Sequence, residues 1–327
     1  MRSGVSAMSE VAVIGAGAWG TALAVQAARA GRSVLLWARD PRRAAAMQAE
    51  RTTPRLPGLV LPAGVTVVSV FPVAAVSLLV VPVQHMRAVA AVLPGAGAMV
   101  VCAKGVEAGT HALPLEILAA VLPGRAGCVL SGPNFAHEIA AGLPAAAVVA
   151  GTDEAVRAAV IAALASPSFR LYGNDDPIGA QVGGAAKNVV AIAAGVVVGA
   201  GLGENARAAL VTRGLAEMAR LAVALGGRAE TVAGLSGLGD LLLTCTGMSS
   251  RNFSLGLDLG RGRALADILA GRSAVTEGVA TAPALVARAA DAGVVMPIAA
   301  AVAAVMQGAM DVRGAVAALL ARPLRDE

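Results

Sequence analysis

The stretch Glu10-Val-Ala-Val-Ile-Gly15-Ala-Gly17-Ala-Trp-Gly20 decides the fold. Its first half reads as a short buried strand, and the glycines follow at once. Residues 21–30 are helical in composition and stop at Gly31, and Ser33-Val-Leu-Leu-Trp37 reads as a second strand. Strand, glycine turn, helix, strand is the setting in which G-x-G-x-x-G marks a dinucleotide site. Gly15 allows the tight turn, Gly17 lets a pyrophosphate approach the backbone, and Gly20 lets helix and strand pack closely. The helix N-terminus then offers its unpaired N–H groups and dipole to the phosphates.

The end of the second strand bears on the choice of dinucleotide. A site for NAD usually places Asp or Glu there for the ribose hydroxyls. Here the chain reads Trp37-Ala-Arg39-Asp40-Pro-Arg42-Arg43. Arg39 takes the contact position, and guanidinium groups suit a 2′-phosphate. Asp40 reads as the cap of a helix that Pro41 begins. NADP(H) is favoured, and Asp40 keeps NAD(H) open.

The 327 residues suggest two domains. The expected architecture is an α/β Rossmann-like doubly wound domain over 1–178, followed by an all-α domain over 179–327. Residues 76–81, 98–103, 128–131 and 145–150 read as buried parallel-type strands. Pro82, Lys104 and Ser131-Gly-Pro-Asn134 then fall at strand ends on the carboxyl edge, where ligands bind. Strand signals stop near Asp176. Asn205 is placed to cap a helix over 206–225 that Gly226-Gly227 ends.

Composition narrows the classes. The chain is 57% hydrophobic with 2% aromatic residues, so its core is built of Ala, Val and Leu. Cys102, Cys128 and Cys245 form no paired framework, which fits a reduced cytoplasm, and no Cys/His spacing suggests a metal site. Met1 to Ser9 is too short and polar for a signal peptide. Mean hydropathy of +0.73 raises the membrane question. Residues 56–86 and 292–310 lack charge, but the first is cut by prolines and the second is Ala-rich with Pro297 and Gln307 inside it. Neither is expected to span a membrane. The net charge of +5 comes from scattered arginines without a basic stripe or aromatic platform, so no nucleic-acid partner is expected.

Of 26 basic residues only Lys104 and Lys187 are lysine. Arg stays protonated at any usable pH, whereas a desolvated ammonium, or one beside another cation, can lose its proton. General acid–base chemistry requires that property. In the helical half, Asp240 is the only charge between Glu230 and Arg251. Burying it alone is costly, so it calls for a specific partner. Ser249, Ser250, Arg251 and Asn252 cluster hydroxyl, guanidinium and amide donors suited to a phosphate.

These motifs occur together and in order in one family. The chain resembles the bacterial NAD(P)-dependent glycerol-3-phosphate dehydrogenases over nearly its whole length. The resemblance rests on Gly15-Ala-Gly-Ala-Trp-Gly-Thr, Ala-Lys104-Gly-Val-Glu, Ser131-Gly-Pro-Asn-Phe-Ala-His-Glu and Gly-Gly-Ala-Ala-Lys187-Asn-Val. It continues in Thr212-Arg-Gly-Leu-Ala-Glu-Met, Gly239-Asp-Leu-Leu-Leu-Thr-Cys-Thr and Ser250-Arg-Asn. It implies reversible reduction of dihydroxyacetone phosphate to sn-glycerol 3-phosphate, the glycerol backbone of phospholipids.

The resemblance also implies roles. Lys187 accepts the proton in alcohol oxidation and donates it in ketone reduction, with Lys104 and Asp240 around the reacting centre. Gly132, Asn134, Ser250, Arg251 and Asn252 contact substrate, as do Lys104, Lys187 and Asp240. Trp19, Arg39, Ala136, Val275 and Glu277 contact cofactor beside Gly15, Gly17 and Gly20, with Lys104 and Arg251 also reaching it. Ala18 stands where some members have Ser and contributes only backbone; Asn134 stands where some have Thr. The helical domain is expected to fold over the nicotinamide. The protein is expected to be cytoplasmic, and its oligomeric state stays open, with a homodimer among the options.

Two other readings remain. One is a related two-domain hydroxyacid dehydrogenase of the 3-hydroxyisobutyrate or 6-phosphogluconate type, with a carboxylate site in place of Ser250-Arg251-Asn252. The other is a dinucleotide-sensing protein without turnover.

Overall fold

Short runs rich in Val and Leu alternate with Ala-rich helices through the first half, and long helices fill the second. The computed structural model describes residues 11–95, 97–272 and 275–323. The prefix read above against a signal peptide, and Glu10, lie outside the described residues. Two units divide the chain: Met1–Ala103 with Pro114–Pro177, and Lys104–Leu113 with Ile178–Glu327.

In the first unit the strands are β1 (Val11–Ile14), β2 (Val34–Trp37), β3 (Val65–Val68), β4 (Val76–Leu79), β5 (Ala98–Val101), β6 (Gly127–Ser131), β7 (Ala145–Ala150) and β8 (Phe169–Asn174). They form one sheet in the order β3-β2-β1-β4-β5-β6-β7-β8. The helices between them are α1 (Ala18–Arg29), α2 (Pro41–Glu50), α3 (Val83–Ala90), α4 (Pro114–Val121), α5 (Ala136–Ala141) and α6 (Glu154–Leu164). The first six strands follow the doubly wound order, reversing direction of travel at β1. The core collects Val11, Val13, Leu36, Leu78, Val100 and Leu130 from the sheet with Leu23 and Ala27 of α1.

One expectation is corrected here. β7 pairs antiparallel to β6, with Leu130 opposite Val149, and β8 runs parallel to β7. The connection from β6 to β7 holds only the six-residue α5, too short for a parallel crossover. A strand buried on both faces carries the same apolar run in either direction, so composition could not reveal this.

The second unit contains α7 (Pro177–Gly199), α8 (Glu204–Ala224), α9 (Ala229–Ala233), a π-helical turn (Leu235–Gly239), α10 (Asp240–Thr246), α11 (Arg251–Gly260), α12 (Leu265–Ala270), α13 (Glu277–Asp291), α14 (Pro297–Met306) and α15 (Val312–Leu320). The long α7 is buried along almost its whole length. It is the one helix among the described residues long and apolar enough to cross a membrane, yet 83% of its apolar window is buried inside the protein. That is the pattern of a core helix. Residues 292–310 hold the ten-residue α14 instead.

α11 crosses α7 at very short range. A Cβ on Gly256 would lie 1.9 Å from the Ile192 carbonyl oxygen, and one on Gly195 2.1 Å from that of Phe253. α8 begins at Glu204 with Gly203 at its cap position and no side-chain cap, so the capping role expected of Asn205 is not used. Glu217 on α8 accepts from the amides of Ile298 (2.7 Å) and Ala299 (3.3 Å), closing the N-terminus of α14.

The boundary expected at 178/179 falls at 177/178, and Lys104–Leu113 joins the helical unit although β5 precedes it in the chain. Val106 and Leu113 bury themselves in the helical core beside Val189, Leu241 and Leu285. A ten-residue segment flanked by sheet elements gave no compositional sign of this.

Candidate active site

Asp240 opens α10 directly after the π-helical turn, an irregularity often found at functional positions. Its carboxylate is 1% exposed and carries one ammonium on each oxygen. Lys104 Nζ lies 2.5 Å from Oδ2, and Lys187 Nζ lies 2.6 Å from Oδ1. The partner that the isolated acid demanded is thus the pair formed by the only two lysines of the chain.

Lys187 is buried midway along α7. It donates a second bond to Thr244 Oγ1 (2.9 Å), and that hydroxyl in turn donates to the Asp240 carbonyl (2.6 Å). Burial pushes the Lys187 proton affinity down. Asp240 opposes the shift, Lys104 reinforces it, and the net direction is downward. Burial is the largest of these influences.

Thr244 was not among the expected site residues. Its signal was the i,i+4 spacing from Asp240 on one helix, which stacks both side chains on the same face.

Glu277, the first residue of α13, is mostly buried beside this cluster. Burial raises its carboxyl above the ordinary range, against the pull of Arg251, Lys187 and Lys104. Val275 is 56% exposed, two residues before it. At the start of α11, Ser250 Oγ caps the helix by accepting from the Phe253 amide (3.2 Å), and Arg251 is the exposed first residue.

Asn252 has a structural part beside the one expected of it. It is buried, donates to Asn188 Oδ1 (2.8 Å) and accepts from the Gly278 amide (3.0 Å). Its carbonyl and one amide hydrogen are therefore committed to tying α11, α7 and α13 together. Asn188, Asn252 and Gly278 each directly follow a charged residue of the cluster: Lys187, Arg251 and Glu277.

In the first unit the glycine turn has the expected form. Gly15 adopts φ +124°, and a Cβ there would meet the Val80 carbonyl oxygen at 2.8 Å. A Cβ on Gly20 would lie 1.8 Å from the Gly15 carbonyl oxygen, whereas one on Gly17 would meet nothing within 4 Å. α1 starts at Ala18 and Trp19, both partly exposed, and no side chain caps its first turn. The amides there are available to an anion, so the turn fits a pyrophosphate.

Asp40 caps α2 as read, accepting from the amides of Arg42 (2.8 Å) and Arg43 (3.1 Å). Arg39 is exposed beside it. Gly132 follows β6 with φ +142°, packed on Ala147, and Asn134 donates to the Ala146 carbonyl (3.2 Å). Asn134 Oδ1 and Ser131 Oγ are buried without a hydrogen-bond partner. Ala136 opens α5, which Arg29 of α1 holds through the carbonyls of Ile139 (3.0 Å) and Ala140 (2.8 Å).

The expected residues thus assemble in two groups. Gly15, Gly17, Ala18, Trp19, Gly20, Arg39, Gly132, Asn134 and Ala136 belong to the first unit. Lys104, Lys187, Asp240, Ser250, Arg251, Asn252, Val275 and Glu277 belong to the second. The second group unites Lys187, a buried ammonium of lowered proton affinity, with Lys104 on the same carboxylate and a helix N-terminus bearing an arginine. Such a group can move a proton at one point and hold an anion at another.

Comparison with known proteins identifies the family. The family profile of the NAD-dependent glycerol-3-phosphate dehydrogenase N-terminus matches residues 10–157, and that of the C-terminus matches residues 176–317. A glycerol-3-phosphate dehydrogenase (NAD(P)+) of Acidiphilium cryptum is 57% identical over 99% of this chain and 100% of its own length. That of Gluconobacter oxydans is 54% identical over 96% of this chain and 97% of its own. The crystal structure of glycerol-3-phosphate dehydrogenase from Coxiella burnetii superposes with a TM-score of 0.90 at 36% identity, covering 96% of this chain and 99% of that one. The chain belongs to the NAD-dependent glycerol-3-phosphate dehydrogenase family and is an oxidoreductase.

Proposed function

We propose that the chain interconverts dihydroxyacetone phosphate and sn-glycerol 3-phosphate, with Lys187 as the residue that gives and takes the proton. The observation that carries this is the Asp240 carboxylate shared between Lys104 and Lys187, deep in the helical unit. A lysine ammonium has three donors. Two from Lys187 are spent on Asp240 and Thr244, which aims the third. In ketone reduction that third N–H protonates the carbonyl oxygen as negative charge gathers on it. In alcohol oxidation the neutral amine takes the hydroxyl proton. Lowered proton affinity serves both directions, because the neutral amine becomes reachable without losing the ammonium altogether. Lys104 adds a second positive charge to stabilise the oxyanion in a site of low dielectric.

The substrate phosphate sits at the N-terminus of α11, where the helix dipole favours an anion and Arg251 supplies the guanidinium. Ser250 shapes that turn as its cap, and Asn252 holds it against α7 and α13. Gly15, Gly17 and Gly20 form the cradle for the cofactor pyrophosphate. When bound, the nicotinamide supplies or receives the hydride at the substrate C2. NADP(H) is the preferred dinucleotide, because Asp40 is engaged in capping α2 and arginines surround it. The product feeds glycerophospholipid synthesis, and the protein works in the cytoplasm.

The test is cofactor oxidation by purified protein with dihydroxyacetone phosphate and either NADPH or NADH. Turnover with dihydroxyacetone phosphate, and far less with unphosphorylated dihydroxyacetone, is expected. Turnover only with a 2-keto acid or another carboxylate substrate would overturn the substrate assignment.

A further inference from the structure

α11 turns one stripe away from the core, and an arginine from elsewhere in the chain lies along it. Of residues 252–259 only Ser254 and Asp258 are not buried, and with Arg251 they stand at i, i+3 and i+7 on one side of the helix. The arginine is Arg272. Its Nη1 donates to the Arg251 carbonyl (2.7 Å) and its Nη2 to Ser254 Oγ (3.1 Å), with Asp258 Oδ2 3.6 Å from Nη2. The Ser254 hydroxyl donates in turn to the same Arg251 carbonyl (3.2 Å). Arg272 leaves the end of α12, where its own amide donates to the Leu269 carbonyl (3.1 Å) and Ile268 is buried in the helical core. Its side chain is 18% exposed, so most of its length is packed.

Such a contact is more than a surface ion pair. Its first acceptor is the carbonyl of Arg251, the residue whose guanidinium is assigned above to the substrate phosphate. A peptide group is planar, so fixing the Arg251 carbonyl also fixes the Asn252 amide and both flanking Cα atoms. Asn188 and Gly278 hold the Asn252 side chain. The peptide between Arg251 and Asn252 is thus gripped at both ends. Charge gives a second reason. A cation beside the first turn of a helix opposes the helix dipole. Here two arginines share that turn: Arg251 belongs to it and Arg272 bonds to it. Asp258 offsets them only in part, because its other oxygen lies 3.2 Å from Arg263. An anion bound at this helix end relieves both the repulsion and the opposition to the dipole.

We propose that Arg272 is a positioning residue for the substrate phosphate. It fixes the Arg251 peptide and adds a second positive charge at the N-terminus of α11, without itself touching the substrate. The inference rests on the phosphate reading of α11 given above and adds to it a residue that the sequence motifs did not mark.

Titration calorimetry with sn-glycerol 3-phosphate, paired with steady-state assays on dihydroxyacetone phosphate and on dihydroxyacetone, tests this role. Arg272→Met is expected to weaken sn-glycerol 3-phosphate binding about tenfold, less than Arg251→Ala, because a neighbouring charge and a backbone tie are lost rather than the direct contact. KM for dihydroxyacetone phosphate should rise in parallel, while kcat/KM for dihydroxyacetone keeps its wild-type value. Arg272→Lys keeps the charge and a donor, and should recover affinity to within about threefold of the wild type. Ser254→Ala removes one acceptor of Arg272 and one donor to the Arg251 carbonyl; it should bind about threefold more weakly, and it carries the test if Arg272→Met fails to fold. Equal losses on dihydroxyacetone phosphate and dihydroxyacetone would mark a merely structural role and overturn the proposal. So would wild-type affinity in Arg272→Met, or in Ser254→Ala where the former does not fold, or a lysine variant no better than the methionine one. A loss in Arg251→Ala beside wild-type affinity in Arg272→Met refutes the proposal and leaves the phosphate reading standing. If Arg251→Ala itself binds like the wild type, the phosphate reading falls.

Discussion

The glycine turn of the first unit and the lysine–aspartate cluster of the second solve opposite problems. The turn makes room by omission: no side chain fills the space above Gly17, and a methyl at Gly20 would strike backbone. Its donors are main-chain amides, fixed by the path from β1 into α1. The cluster makes a site by burial: it takes two ammonium groups and a carboxylate out of water and lets them satisfy one another. The first is harmed by adding atoms, the second by changing charge. A backbone site is insensitive to pH and indifferent to which apolar residues surround it. A buried ionic site tunes a proton affinity, at a desolvation cost that only a well-packed shell can sustain.

The largest test of this contrast is Lys187→Arg. Charge is kept, but the guanidinium cannot give up its proton, so turnover should fall by about 10²–10⁴-fold with the thermal melt little changed. Near-normal turnover would remove Lys187 from proton transfer. In the wild type, oxidation of sn-glycerol 3-phosphate needs the neutral amine, so its rate should rise with pH through the Lys187 titration. Because burial lowers that proton affinity, the inflection should fall below the ordinary lysine value.

Next in size is Gly20→Ala, expected to cost about 3 kcal/mol of stability through the clash with the Gly15 carbonyl. Gly17→Ala is its foil. It should melt like the wild type and lose cofactor affinity, because its methyl meets only the space a pyrophosphate would enter. If both variants melt alike, the turn is not the tight object described above.

Arg251→Ala should raise KM for dihydroxyacetone phosphate by about 30-fold, corresponding to about 2 kcal/mol for a charge-assisted contact. The variant should lose much of its preference over dihydroxyacetone; an intact preference would move phosphate recognition elsewhere. The smallest effect belongs to Glu277→Gln. Glu277 raises the Lys187 proton affinity, so removing its charge should move the oxidative pH inflection downward. An inflection that stays put would show that the Glu277 carboxyl is already neutral, the state its burial favours.

The same contrast explains what could be read in the chain before the structure. The glycine turn is local: strand, turn and helix lie within 20 residues, and each glycine has one steric reason to be there. Asp40 as a cap before Pro41 was legible for the same cause. The cluster was legible only through scarcity, since two lysines among 26 basic residues and one acid in a long apolar stretch stand out. Their meeting was not, because 136 residues separate Lys104 from Asp240 and no periodicity spans that distance. Asn252 shows the limit from another side. A run of polar residues at a helix start suggests a ligand, and it gave no sign that Asn188, 64 positions earlier, takes up one amide hydrogen of Asn252. The reversal at β7 left no mark either, since both strand directions ask for the same Val and Ala.

The placement of Lys104–Leu113 in the helical unit has a consequence for synthesis on the ribosome. Chain growth proceeds at about 5–20 residues per second, so Asp240 emerges on the order of ten seconds after Lys104. During that interval the sheet can assemble from β1 to β8, while this loop waits without its native partners. Val106 and Leu113 then stay exposed until α7 and the helices after it arrive. The nascent chain thus carries Val106 and Leu113 without the core they will enter, and Lys104 without Asp240. Separate expression of residues 1–177 would preserve that waiting state, and separate expression of 178–327 would yield an Asp240 with only one of its two ammonium partners.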